Sequence, residues 1–335
     1  MDTTEPKLRS NNRVWMWVGV VVIIALIAVA VIGWYKLANP TTKESATSTS
    51  TATPVASVQK DVWVAGTSSV LTSTTSSDTH KLADNSYRMY YMSNGQMVYA
   101  ESDSTFAFGA SKSTGITEDA GKFMSNPSVL KITDSNWIMI YEQQPIKQPG
   151  SNNQNNPPGP TNQRNLYLAT STDGQTFSKA GLVLDSSILD NYFASVPDMI
   201  LLPNNQIRMY YVSGGNAIGS VLSSDNGKTW VRDSGYRLED SAVDPDVIVG
   251  GTAKWVMYYS KLNPSDNAIY KATSKDGLTW VQQEKVLDKK SASGVIVDPD
   301  VVPINDNSYV MFYGESGATE QIDLYMAKAN HSIFR

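Results

Sequence analysis

Short apolar segments alternate with polar turns along most of this chain. From about residue 61 onward, runs rich in Val, Ile, Tyr, Trp and Thr are separated by Gly, Asn, Asp and Pro. Short apolar runs of this composition, bounded by turn residues, are typical of β-strands. The pattern therefore predicts an all-β domain over residues 61–335.

A Met-x-Tyr block marks an internal repeat within this domain. The block occurs five times, beginning at Met89, Met139, Met209, Met257 and Met311. Eleven residues before these methionines stand Asp78, Ser128, Asp198, Asp246 and Asp300. Two residues earlier still stand Ser76, Asn126, Val196, Asp244 and Asp298. Because the register holds without a gap in all five units, chance is a poor explanation for the repeat.

Each unit predicts four short strands. Four antiparallel strands in about 50 residues are the signature of a propeller blade. The fifth unit lacks a fourth strand, but residues 62–71 (VWVAGTSSVL) resemble the fourth strands of other units. A strand from the N-terminus that completes the last blade would remove two exposed sheet edges. We therefore predict a five-bladed β-propeller whose N-terminal strand closes the last blade.

Three turns fit the Asp-box pattern, in which Ser, Asp, Gly, Thr and an aromatic residue recur at fixed spacing. They are STDGQTF (171–177), SSDNGKTW (223–230) and SKDGLTW (274–280). In such a turn the Ser and Asp side chains cap the backbone, Gly supplies a positive φ and the ring plugs the blade edge. We interpret these motifs as scaffold.

An uncharged apolar run of 21 residues extends from Trp15 to Tyr35. It is long enough to cross the bilayer core as a helix, and it is longer than the apolar region of a cleavable signal peptide. The sequence therefore predicts a transmembrane signal anchor over residues 15–37. Positive charges precede the span, which predicts a cytoplasmic tail over residues 1–14 and an extracytoplasmic propeller.

Residues 38–60 are rich in Ser, Thr, Ala and Pro and lack large apolar side chains, so we predict a flexible linker. The chain has no cysteine, which excludes disulfides and thiolate metal sites. Its net charge is −5, and no basic cluster occurs after the first fourteen residues. Nucleic acid is therefore not an expected partner. We also expect the protein to be a monomer at the cell membrane of a bacterium.

Aspartates mark the starts of the predicted first strands. In a propeller these strands lie next to the axis, so the aspartates should form a ring at one mouth. The acidic position shared by four blades is interpreted as scaffold, bonded to the backbone of the next blade. Substrate binding is the alternative for these four residues, Asp78, Asp198, Asp246 and Asp300. Asp244 and Asp298 break the symmetry of the repeat, which favours a function, although Pro is also tolerated at a polar strand start.

The succession of DPDV, YxMYYS and SxDGxTW motifs resembles the five-bladed glycosidases of families 43, 62, 32 and 68, which include arabinanases and β-xylosidases. The resemblance covers the whole propeller. It implies a general base and an orienting residue at two Asp-Pro elements in adjacent blades, which Asp244 and Asp298 match. It also implies a glutamic acid in a third blade, but the neighbouring-blade positions are Ser76 and Val196.

Two glutamates near the ends of second strands, Glu142 and Glu315, could replace this acid, if they are not solvated loop residues. Tyr192 and Phe193 could stack on a sugar ring or plug a blade interface. The resemblance also implies that His80 could hold an axial cation, whereas a core histidine is the alternative. No other cofactor or metal is expected.

We therefore expect a membrane-anchored, extracytoplasmic glycoside hydrolase-like protein that acts on a polysaccharide or oligosaccharide. One alternative is a glycan-binding propeller that has lost its general acid. A second is a protein-interaction scaffold of the cell envelope.

Overall fold

A computed structural model describes residues 61–146, 163–250, 254–317 and 321–334. Within these ranges, twenty strands form five four-stranded antiparallel sheets, which confirms the five-bladed all-β propeller. Blade 1 contains β2 (Ser77–Lys81), β3 (Tyr87–Ser93), β4 (Gln96–Ser102) and β5 (Lys112–Thr117). Blade 2 contains β6 (Lys122–Thr133), β7 (Asn136–Pro145), β8 (Asn165–Ser171) and β9 (Ser178–Leu184). Two 3-10 helices, Ser186–Ile188 and Asp190–Tyr192, lead into blade 3.

The remaining blades repeat this order. Blade 3 contains β10 (Ala194–Leu201), β11 (Ile207–Ser213), β12 (Ala217–Ser223) and β13 (Val231–Arg232). Blade 4 contains β14 (Ala242–Gly250), β15 (Lys254–Lys261), β16 (Ala268–Ser274) and β17 (Trp280–Asp288). Blade 5 contains β18 (Ile296–Asn305), β19 (Ser308–Ser316), β20 (Ile322–Ala329) and the N-terminal β1 (Val64–Ala65).

The N-terminal strand closes blade 5, as predicted. Val64 pairs with Lys328 and Ala65 with Ala327, in antiparallel register. This regular pairing is shorter than the predicted 62–71 segment, but backbone hydrogen bonds from Gly66 and Val70 continue along β20. The two ends of the described propeller are thereby joined, and the inner strands gain a fourth partner.

The methionine of each repeat lies in the core between blades. All five, from Met89 to Met311, are fully buried on the second strand of their blade. Five hydrophobic clusters in the described chain each draw residues from two neighbouring blades. The repeat thus recurs because each blade must present the same apolar surface to the next.

The Asp-box turns also hold neighbouring blades together, which agrees with their interpretation as scaffold. Asp276 accepts hydrogen bonds from the backbone N–H groups of Leu278 (2.8 Å) and Thr279 (2.7 Å). The Tyr210 hydroxyl of blade 3 donates to the carbonyl of Gly277 at 2.7 Å. Gly277 has a φ of +71°, and a Cβ there would lie 2.8 Å from this hydroxyl. Only glycine fits both requirements without strain.

The predicted cytoplasmic tail (1–14), signal anchor (15–37) and linker (38–60) lie outside the described residues. Among the residues from 61 to 334 that are described, no helix has the length and apolar character needed to cross a membrane.

Candidate carboxylate site at the propeller mouth

A β-bulge occurs at the start of the first strand in blades 2 to 5. The pairing register shifts there, for example between Val243 and Asp246 and between Val297 and Asp300. One residue in each bulge has a left-handed backbone: Asn126 (φ 51°), Val196 (43°), Asp244 (54°) and Asp298 (52°). Asn and Asp tolerate this conformation better than other non-glycine residues, and bulges re-aim side chains near functional sites. The repeat position of Asp244 and Asp298 therefore has a left-handed backbone conformation in four blades, whichever side chain it carries.

Next to the bulges, a ring of hydrogen bonds connects all five blades. In each case a side chain of one blade accepts a bond from a backbone N–H group of the following blade. Val129 N–H donates to Asp78, Met199 N–H to Ser128 (3.1 Å), Val247 N–H to Asp198 (2.9 Å), Val301 N–H to Asp246 (3.2 Å) and Thr79 N–H to Asp300 (3.2 Å). These are the bonds that the scaffold interpretation predicted. Binding of substrate by the four aspartates stays a prediction.

Burial and neighbouring carboxylates raise the pKa of three ring aspartates, Asp198, Asp246 and Asp300. Burial and then the charge of Asp78 raise the pKa of Asp300 to about 6. The pKa values of Asp198 and Asp246 are raised well above their usual range, by burial first and by neighbouring carboxylates second. The axial cavity between these groups has a volume of about 30 Å³, room for about one water molecule or two.

His80 lies beside this ring and pairs with Asp78 at 3.0 Å. Burial lowers the pKa of His80, but the charges of Asp78 and Asp300 outweigh it and the pKa is raised. Across the described ranges, no group of three or more His, Cys, Asp or Glu side chains is arranged to hold a metal ion. The structure therefore assigns His80 an ion pair, and an axial cation at this residue stays a prediction.

Asp244 and Asp298 are joined by a hydrogen bond at the mouth. The backbone N–H of Asp298 donates to Oδ2 of Asp244 at 3.3 Å. Burial raises the pKa of Asp244 to about 6. Burial, and then the charges of Asp244 and Glu142, raise the pKa of Asp298 well above its usual range. The surroundings of Asp298 therefore favour the protonated form of its carboxyl group.

Glu142 joins this pair from blade 2. It is fully buried on β7, where it is paired in register with Ser125, so it is not a solvated loop residue. Its Oε2 accepts hydrogen bonds from Asn126 Nδ2 (2.8 Å) and from the Ser195 hydroxyl, and its Oε1 lies 3.1 Å from Arg164 Nη1. Its negative charge raises the pKa of both aspartates. Three carboxyl groups from three blades thus lie within electrostatic reach of one another, and they are here called the mouth carboxylates (Glu142, Asp244 and Asp298).

Glu315 is engaged elsewhere. Its side chain is buried and lies 3.2 Å from Lys290 Nζ, and it accepts a hydrogen bond from the Lys290 backbone N–H. In the repeat, the counterpart of Glu142 is Gly314, three residues after Met311. Because successive side chains of a strand point to opposite faces, Glu315 faces away from the side that Glu142 occupies. Its burial argues against the solvated-loop alternative, and catalysis by Glu315 stays a prediction.

Tyr192 and Phe193 line the approach to Glu142. The guanidinium of Arg164 lies 4.6 Å from the centre of the Phe193 ring, and the Arg164 N–H donates to the carbonyl of Tyr192 at 3.2 Å. Both aromatic side chains are half-buried. This contact between blade 2 and the start of blade 3 is what the plug interpretation describes, and sugar stacking by the pair stays a prediction.

Three polar residues of the site were not singled out from the sequence. Asn126 could have been, because it stands at the repeat position of Asp244 and Asp298. Ser195 precedes that position in blade 3 and is an ordinary strand residue by pattern. Arg164 carries no sequence signal, since it follows a long segment without repeat register.

We expect Asp244→Asn to stabilise the protein at pH 7 by about 2–3 kcal/mol. The folded-state pKa of Asp244, about 6, lies above the unfolded value of 3.8. Between these two pH values the native protein therefore holds more protons than the unfolded protein. The contribution of protonated Asp244 to the free energy of unfolding is fully present below pH 3.8 and is lost as the pH rises through 6. Asparagine keeps the acceptor oxygen and carries no charge. Urea unfolding at pH 7 and pH 4 measures the effect, and an equal gain at both pH values would contradict the linkage.

No family model matches this sequence, and no curated protein matches it. Solved structures do resemble it. A thermostable family-43 glycoside hydrolase has a TM-score of 0.60 and 15% identity, over 78% of this chain and 91% of that chain. An endo-arabinase from Bacteroides thetaiotaomicron VPI-5482 has a TM-score of 0.58 and 10% identity, over 83% and 98%.

A further structure, described only as a glycoside hydrolase, has a TM-score of 0.59 and 16% identity, over 83% of this chain and 94% of its own. At such low identity a likeness speaks for the fold alone. The chain folds into a five-bladed β-propeller, the architecture that it shares with family-43 and related glycoside hydrolases.

Proposed function

We propose that this protein hydrolyses a glycosidic bond of an oligosaccharide or polysaccharide at the propeller mouth. The observation that carries the proposal is that the carboxyl groups of Glu142, Asp244 and Asp298 lie within electrostatic reach of one another, in surroundings that favour the protonated form of Asp298. Glycoside hydrolysis generally needs one protonated carboxyl group and one carboxylate. The fold shared with glycoside hydrolases supports carbohydrate as the substrate class.

In this proposal Asp298 is the proton donor. Its half-buried side chain lines the axial cavity, and burial and two neighbouring charges raise its pKa well above the usual range, which favours the protonated form. Asp298 protonates the leaving oxygen as the bond to the anomeric carbon breaks. Glu142 takes a proton from the attacking water, whose oxygen forms the new bond to that carbon. Asp244 positions the Asp298 backbone and keeps the proton on its neighbour.

These roles differ from those implied by the family resemblance, in which an aspartate is the base and a glutamate the acid. The reason is the environment of Glu142. A guanidinium, an amide and a hydroxyl all direct hydrogen-bond donors at its two oxygens. A glutamate held in this way is suited to accept a proton, whereas Asp298 is suited to donate one.

One observation favours a second candidate, a propeller that binds a glycan without cleaving it. Glu142 is fully buried and both of its oxygens are occupied by Arg164, Asn126 and Ser195. A carboxylate of this kind also fits a structural role, with an ion pair to Arg164 within blade 2 and a hydrogen bond to Ser195 of blade 3. In that case Asp244 and Asp298 would remain as the polar floor of a binding site.

The test is release of sugars by the purified full chain from arabinans, xylans, fructans and bacterial wall glycans. New reducing ends from at least one glycan are the expected result. Retention of a glycan without release would support the binding candidate. Neither release nor retention on any of them would contradict both and favour the protein-interaction scaffold.

We further propose that the protein acts as a monomer, anchored by residues 15–37 with the propeller outside the cytoplasm. The support is the uncharged run from Trp15 to Tyr35, preceded by Lys7, Arg9 and Arg13. Protease added to intact cells should degrade the propeller while the first residues stay protected. Full protection in intact cells, with cleavage only after lysis, would contradict this orientation.

A further inference from the structure

A cleft opens between blades 1 and 2 on the same face as the mouth carboxylates. Its walls are the segment that leads into β2, the turn between β3 and β4, and the beginning of β6. The lining residues are Thr72, Ser73, Thr74, Thr75, Ser76, Met92, Ser93, Asn94, Phe123, Ser125 and Asn126. The volume is about 490 Å³, which lies within the roughly 300–1,000 Å³ typical of ligand sites. We refer to it as the blade 1–2 cleft.

The lining of this cleft is polar but uncharged. Serine, threonine and asparagine side chains provide hydroxyl and amide groups, and none of the lining residues is Asp, Glu, Lys or Arg. Phe123 is 43% exposed, so part of its ring is accessible to a ligand in the cleft. Aromatic surface beside several hydrogen-bonding groups matches a sugar ring, which has an apolar face and a hydroxyl-bearing edge.

Backbone and side-chain contacts hold the walls of the cleft in place. The Ser73 N–H donates to Oδ1 of Asp323 in blade 5 at 2.9 Å, and the hydroxyl of Thr74 donates to the carbonyl of Thr72 at 3.4 Å. Phe123 is part of β6, where it pairs with Gln144 of β7. A site on such elements is largely pre-formed, so less entropy is lost when a ligand binds.

Asn126 connects the blade 1–2 cleft to the mouth carboxylates. It lines the cleft, and its Nδ2 donates to Oε2 of Glu142 at 2.8 Å. Ser125, a second lining residue, is paired in register with Glu142. Ser76, a third, also borders the axial cavity together with Asp298. The cleft therefore adjoins Glu142 through Asn126, and it adjoins the axial cavity that Asp298 lines through Ser76.

We propose that the blade 1–2 cleft binds an uncharged segment of the glycan next to the bond that is cleaved. This inference rests on the proposed function for the nature of its occupant. Phe123 stacks on a sugar ring, and Asn94 together with the serine and threonine hydroxyls bonds to the sugar hydroxyls. An anionic glycan would bring carboxylates into a cleft whose lining has no cation to pair with them.

The experiment measures binding of short glycans by titration calorimetry. The protein is the full chain with Asp298→Asn, so that turnover does not interfere, and the probes are xylohexaose, arabinohexaose and the anionic hexagalacturonate. We expect at least one neutral probe to bind more tightly than hexagalacturonate. Phe123→Ala should raise the Kd of that probe roughly three- to tenfold, while Phe123→Trp should preserve it. Leu182→Ala, which alters a side chain of similar exposure (47%) on β9, should leave it unchanged.

The results separate this inference from the proposed hydrolysis. If Phe123→Ala abolishes neutral-glycan binding while the protein with Asp298 intact releases no sugar, the result would support the cleft and contradict the hydrolysis. If the protein with Asp298 intact releases sugar and Phe123→Ala changes neither Kd nor KM, the result would support the hydrolysis and contradict the cleft. Failure of both neutral probes to bind, or tighter binding of hexagalacturonate, would overturn the inference.

Discussion

Asp298→Asn is expected to reduce the rate of sugar release by about 10²–10⁴-fold, the usual contribution of a general acid. Asparagine has nearly the same shape and tolerates the left-handed backbone at this position, where φ is 52°. It has no carboxyl proton to give to the leaving oxygen. The change therefore removes the donor without removing the side chain. The measurement is the initial rate of reducing-end formation on the glycan that wild-type protein cleaves.

Asp134→Asn provides the matched control for this prediction. Asp134 lies in the turn between β6 and β7. Its side chain is 98% exposed and pairs with Lys131, three residues away. We expect it to leave the rate unchanged. Thermal unfolding of Asp298→Asn should give a Tm at or above that of wild type, because asparagine cannot acquire the charge that burial and the neighbouring carboxylates disfavour. A rate within threefold of wild type would rule out Asp298 as the proton donor.

Lys271→Met is expected to lower the free energy of unfolding by about 3–5 kcal/mol. Lys271 Nζ lies 2.8 Å from Oδ2 of Asp61, and only 1% of the Asp61 side chain is exposed. The same Nζ donates to the carbonyl of Ile333 at 2.7 Å, and Asp61 also accepts from the Tyr258 hydroxyl at 3.1 Å. Methionine fills a similar volume but leaves the buried Asp61 without its lysine, so that the imidazole of His331, with Nε2 at 3.3 Å from Oδ1, is the basic group that remains beside it. Urea unfolding at pH 7 measures the loss.

The cluster around Asp61 has a clear place in the fold. β1 has regular strand pairing with β20 over only two residues, which is a short closure for a propeller. Asp61 lies just before β1, Lys271 lies in blade 4 and Ile333 lies after β20. The ion pair therefore reinforces the joined ends where the strand pairing is short. Loss of Lys271 should release both ends together.

Two further variants test the origin of this destabilisation. Lys285→Met removes a lysine that is 38% exposed and pairs with Asp266 and Asp288, and it should cost less than about 1 kcal/mol. Asp61→Asn combined with Lys271→Met should recover part of the loss, because no unpaired charge remains buried. If Lys271→Met were as mild as Lys285→Met, the ion pair would not secure the propeller ends.

The blades, their order and their closure could all be predicted from the sequence. Each blade needs a buried methionine on its second strand and a polar residue eleven positions earlier on its first strand, and three of the five blades also contain an Asp-box turn. These features therefore recur at a regular spacing that can be seen in a single sequence. The closing strand was found because residues 62–71 resemble other fourth strands. The Asp-box turns were interpretable because their hydrogen bonds are local, within a few residues of each aspartate.

The membership of the site was decided by tertiary structure. Sequence could not choose between Glu142 and Glu315, because both follow a second strand and differ by one position in the repeat. That single position puts Glu142 beside Asp244 and Asp298 and turns Glu315 toward Lys290. Arg164 reaches Glu142 from outside any motif. The sequence determined the repeating blades because their contacts recur, whereas the site depends on contacts between blades that occur only once.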